Sequence, residues 1–183
     1  MGAACASRVL VILRRGVGGW RFFLVVEKSS IFASNMEKDF DEIVERLLEA
    51  PCWVIDFLPR QVPEDSAGQF FAVEQYYLEE PQHGLLCRRF ADVLLKLNCY
   101  HDLLVSRDGG DEWLYPDPRM LEKWLMESLQ NGHLCLLIDD GESLITASGG
   151  DTNLTLYNPS PALLELVRQL STAAGLFLWQ PPE

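Results

Sequence analysis

The chain has 183 residues, of which 48% are hydrophobic, 10% aromatic and 23% charged, a composition that buries a core and excludes a disordered or fibrous chain. Fifteen lysines and arginines stand against 27 aspartates and glutamates, a formal charge of -12, which argues against a nucleic-acid partner because phosphates would be repelled. The five cysteines, Cys5, Cys52, Cys87, Cys99 and Cys135, show no CxxC spacing; they read as small buried residues in a reducing cytoplasm, not as a disulfide framework or zinc knuckle.

Charge is uneven along the chain. Residues 1–35 carry Arg8, Arg14, Arg15, Arg21 and Lys28 against Glu27 alone, a net of +4, whereas residues 36–183 hold 10 basic and 26 acidic groups, a net of -16. The first apolar run, 9–13, is five residues long and stops at Arg14-Arg15, and the second, 20–26, contains Arg21. Neither makes a signal-peptide core or the roughly 20 residues of a membrane span. Met36 is followed by an acidic amphipathic stretch, 38–49, in which Phe40, Ile43, Val44, Leu47 and Leu48 fall on one helical face. The expectation is a single domain over 36–183, with 1–35 a non-native or disordered extension ahead of a true start at Met36. The alternative is an extra strand at 9–13 or 22–26 completing a sheet.

Beyond this helix, the β-branched and aromatic run 52–58 lies between Pro51 and Pro59 and predicts a central or near-central strand. A polar loop follows over 59–68. The aromatics Phe70, Phe71, Tyr76 and Tyr77 predict a second strand over 70–78, stopped by Glu79-Glu80-Pro81. Leu86, Phe90, Val93, Leu94 and Leu97 make one face of a helix over 84–97, with Asn98 as a left-handed stop. A short strand over 99–106 and a turn over 107–111 come next. Asp117-Pro118 is a helix start, Asp as N-cap and Pro at the first helical position, opening a helix that ends at Asn131-Gly132. Strands at 133–138, 143–147 and 153–157 form a meander of hairpins. Ser160-Pro161 then caps a last helix ending before Gly175, and 176–179 is a final strand. The fold class that results is α+β: a single mixed, mostly antiparallel sheet with three or four helices packed mainly on one face.

No catalytic or cofactor motif is present. His83, His101 and His133 have no helical i, i+3 or i, i+4 spacing, so no metal site is read from them and no cofactor is expected. His101-Asp102 resembles an acid–base pair, but neighbours in a strand point to opposite faces. The acidic turns 108–112 and 139–142 lack the spacing of a calcium loop and read as solvated turns. The segment Asp111-Glu112-Trp113-Leu114-Tyr115 places two aromatics in an acidic connection, which makes Asp111, Glu112, Trp113 and Tyr115 the candidate partner-binding residues. The competing reading folds Trp113 and Tyr115 back over the sheet as a lid.

Through Ala50-Pro-Cys-Trp-Val-Ile-Asp-Phe-Leu-Pro-Arg-Gln-Val-Pro, Gly68-Gln-Phe-Phe-Ala-Val-Glu, Leu95-Lys-Leu-Asn-Cys-Tyr and Gly175-Leu-Phe-Leu-Trp, the chain resembles a group of small acidic uncharacterised proteins from anaerobic gut-type Firmicutes. The resemblance covers about residues 36–183. It implies a bacterial cytoplasmic protein and assigns no activity and no site residues.

Charge and the missing motifs together point to a non-enzymatic acidic protein-binding module, immunity-type or regulatory, that meets a cationic partner protein. A small hydrolase or transferase whose site assembles only in space, from His101, Asp102 and an acidic turn, is the alternative. A DNA mimic would use the same charge.

Overall fold

The structure, a computed structural model, describes residues 9–16, 19–26, 33–63, 67–107 and 112–182. Cys5, most of the loop acids at 64–66 and the turn residues 108–111, Asp111 among them, lie outside the described residues. The chain divides into two compact units between Lys38 and Asp39. In the first, β1 (Val9–Gly16) and β2 (Gly19–Val26) pair antiparallel from Val9↔Val26 to Gly16↔Gly19, as a sheet of their own. Helix α1 (Ala33–Leu48) crosses the division.

The second unit is built on seven strands: β3 (Cys52–Asp56), β4 (Leu103–Arg107), β5 (Trp113–Leu114), β6 (His133–Ile138), β7 (Ser143–Ser148), β8 (Asn153–Tyr157) and β9 (Phe177–Trp179). Their order is β5-β4-β6-β7-β8-β3-β9, and every neighbouring pair is antiparallel. The α+β class holds, but the sheet is not mixed. β5, β7 and β8 turn back on their predecessors, β6 joins β4 on the side away from β5, and β3 and β9 continue the sheet beyond β8. The β6-β7-β8 meander lies where hairpin spacing places it, and β3 sits second from the edge, between β8 and β9.

Alternation along the strands divides the core in two. Ile55, Leu103, Val105, Leu134, Leu136, Ile138, Ile145, Leu154 and Leu156 point to one face and join the apolar stripes of α3 (Gln82–Leu97), α4 (Pro118–Asn131) and α5 (Pro161–Ala173). Leu104, Leu137 and Leu144 point to the other face and are as deeply buried. Helix α1 serves that face with Phe40 and Leu47, both buried. The Phe40 ring lies 5.5 Å from that of Trp113. Helices therefore cover both faces, and the described residues hold five of them, not three or four.

The added helix is α2 (Ala67–Leu78), where the sequence predicts a strand. Phe70, Glu74, Tyr77 and Leu78 are its half-buried positions, an i, i+4, i+7, i+8 stripe. An acid inside the stripe and the exposed Phe71, Val73 and Tyr76 outside it hide that period from the sequence. Two caps form as their residues dictate: Asp117 accepts from the N–H groups of Arg119 and Met120 at 2.8 and 2.9 Å, and Ser160 accepts from Leu163 N–H at 3.2 Å. Gly175 ends the last helix at φ +73°. Asn98 is not left-handed; it continues the helical conformation at φ -62°.

Candidate functional site

The candidate residues divide instead of clustering. β5 pairs with β4 through Val105↔Leu114 and Ser106↔Trp113, so Glu112 and Tyr115 leave this short strand at opposite ends. Glu112 is exposed, and Asp111 lies outside the described residues. Trp113 shares a sheet face with Leu104 and packs on Phe40. It is half-buried, and among the described residues its buried indole N–H has no acceptor. Tyr115 is 54% exposed. Its hydroxyl donates to Asp140 Oδ1 at 3.2 Å.

That hydrogen bond brings Tyr115 to a set of groups that the sequence keeps apart. Asp139 N–H donates to the Asp102 carbonyl at 3.1 Å, Asp102 N–H donates to Asp139 Oδ1 at 3.2 Å, and His101 Nδ1 lies 2.5 Å from Asp139 Oδ2. The histidine thus pairs with an acid of the distant turn and not with its neighbour Asp102. Burial, and then the nearby charges of Asp140 and Asp102, push the Tyr115 hydroxyl up from its usual range.

The turn itself is strained. Asp139, Asp140 and Gly141 have φ of +49°, +58° and +92°, three successive left-handed residues where an ordinary side chain pays a steric penalty. Asn158 is the other described non-glycine residue with positive φ. It lies beside the same turn, donating from Nδ2 to the Glu142 carbonyl at 2.9 Å. Arg46, Asp140, Glu142 and Asn158 line an open polar hollow there. Strain in a fold concentrates where neighbouring structure holds a special geometry, and here it holds carboxylates outward at one end of the sheet.

The second concavity was not legible in the sequence. A groove of about 400 Å³ runs between α2 and the edge of the sheet, with Val54 and Asn153 from the strands, Phe70 and Phe71 from α2, and Trp179 from β9. Asp56, the last residue of β3, also lines it. Only 8% of Asp56 is exposed, and its Oδ1 accepts from Leu58 N–H at 2.9 Å. Burial pushes its carboxyl up from 3.8, against the pull of the Leu58 and Phe57 N–H groups. The available signal was one acid closing an apolar strand, a weak one without the helix that faces it.

Two thiols are shifted by burial. Burial, then the charge of Glu80, pushes Cys87 up to about 11, and burial also raises Cys135; thiols so shifted stay protonated near neutrality. Cys99 departs from the expected burial and is exposed. No helix among the described residues is long and apolar enough to cross a membrane. Comparison with family models, curated proteins and solved structures gives no match to this chain.

Proposed function

We propose that the protein is a non-enzymatic binding module that engages a cationic partner protein through the acidic rim formed by Asp102, Asp139, Asp140, Glu142 and Tyr115. The observation that carries this reading is the left-handed turn at 139–141, which holds Asp139 and Asp140 beside Asp102 and a half-exposed tyrosine. Carboxylates set this close repel one another, and a lysine or arginine surface relieves that repulsion while Tyr115 supplies rigid contact area. Affinity capture at low ionic strength tests it. The unmodified chain should retain a cationic protein that salt releases, and the triple variant Asp102→Asn, Asp140→Asn, Glu142→Gln should not. Retention indifferent to those three charges would overturn the reading.

One contact favours a second reading. The short His101–Asp139 hydrogen bond is how a carboxylate orients an imidazole for general acid–base work, as a small hydrolase or transferase would need. Under that reading His101→Gln abolishes turnover of ester or phosphoester probes; under the binding reading it leaves partner capture in place.

A further inference from the structure

We infer that the groove between α2 and the β3–β9 edge of the sheet binds a small organic amine, protonated at nitrogen and carrying an apolar, preferably aromatic body. The site is independent of the acidic rim. Its volume of about 400 Å³ is within the range of small-molecule sites, which are mostly apolar with a few placed polar groups. Phe70, Phe71, Val54 and Trp179 provide the apolar surface, and the faces of aromatic rings attract cations.

Two carboxylates, Asp56 and Glu74, line the groove from the strand and helix sides. Arg60 also reaches it, but from the exposed loop where the groove meets the next hollow, so the interior keeps a negative balance. Asp56 is the anchor. It ends β3 and is almost wholly buried, its Oδ1 fixed by the Leu58 N–H. A carboxylate with so little water around it is costly to leave unpaired, and an ammonium would repay that cost with a charge-assisted hydrogen bond. A carboxylate ligand would meet repulsion from both acids. A neutral ligand would gain the ring contacts alone.

Calorimetric titration of the full chain with 2-phenylethylamine, 2-phenylethanol and 3-phenylpropanoate tests this. The amine should bind saturably, and the alcohol and the acid at least about tenfold more weakly, the discrimination expected of one charge-assisted hydrogen bond. Asp56→Asn keeps an acceptor for Leu58 N–H and should weaken amine binding about tenfold or more. Glu74→Gln, at a half-buried helix position, should weaken it several-fold, and serves if the Asp56 variant does not fold. Phe71→Ala removes a ring that is 64% exposed and should weaken the amine and the alcohol alike. Absence of amine binding at 10 mM, equal affinity for amine and alcohol, or amine affinity unchanged by both charge substitutions would each overturn the inference.

Discussion

Trp113 lies in β5 and Tyr115 just beyond its end, and their surroundings give them different work. Trp113 packs on Phe40 beneath α1, whereas Tyr115 reaches out to Asp140. Trp113→Ala should therefore cost about 2 kcal/mol or more, toward the lower end for large aromatic truncations because the ring is only half-buried. Tyr115→Ala should cost less than about 1 kcal/mol, and urea denaturation of the two variants separates these values. Asp56 offers a test by pH. Its folded-state pKa is raised above 3.8, so the folded protein holds that proton more tightly than the unfolded chain does. The penalty for ionising it is absent below 3.8 and grows as pH rises through the window up to the raised value, above which it is complete. Asp56→Asn should be more stable than the unmodified chain at pH 7, with the advantage shrinking as pH falls toward 3.8, read from denaturation at a series of pH values. Tyr115 was a candidate from the sequence, but Asp140 as its hydrogen-bond partner was not legible, because the turn after β6 reaches it only through the pairing of β4 with β6.

Where a strong helical stripe (α3), a Pro-led cap (α4, α5) or hairpin spacing (β6-β7-β8) marks the sequence, elements were legible and form close to their expected places. Helix α2 was not, since its buried stripe includes Glu74 and its wet side carries Phe71, Val73 and Tyr76. Aromatic content favours a strand, and here tertiary placement beside α3 and Phe57 overrides it, the Phe57 and Tyr77 rings lying 4.6 Å apart. Gly68 stands in the first turn of this helix. A Cβ there meets nothing within 4 Å, so Gly68→Ala should stabilise by about 0.5 kcal/mol. Gly149 is the opposite case. A Cβ there would lie 2.6 Å from Gly132 N and 2.8 Å from Asn131 C, backbone at the junction of α4 and β6 that cannot retreat as a flexible side chain does. Gly149→Ala should cost about 2 kcal/mol or more, the usual result of forcing atoms into a filled space, and thermal denaturation of both glycine variants reads the two signs.

Over the whole molecule, four of the described cations sit in ion pairs on α3, α4, α5 and β4. Arg88 pairs with Asp92 and Glu122 across α3 and α4, Arg107 and Lys123 share Glu127, and Arg168 pairs with Glu165 along α5. Asp139 lies against His101, and Arg46 lines the hollow beside Asp140 and Glu142. Residues 36–183 carry a net -16, and under the proposed reading the field at Asp102, Asp139, Asp140 and Glu142 is negative. Such a field acts first on encounter: it draws a cationic surface in before any contact forms, and salt removes it once the screening length falls to about 8 Å at physiological ionic strength. For a cationic partner of the proposed kind, the association rate should fall about tenfold or more between 20 and 300 mM salt, with the dissociation rate changing much less, because contacts already formed are screened less than charges meeting through water. The triple rim variant should associate slowly at low salt and lose most of that salt dependence. Glu165→Gln, which removes a charge already paired on α5, should leave both rates nearly where they were. Stopped-flow association across the salt series reads all three, and an equal slowing by Glu165→Gln would mean that net charge, and not the placement of these acids at the end of the sheet, steers the encounter.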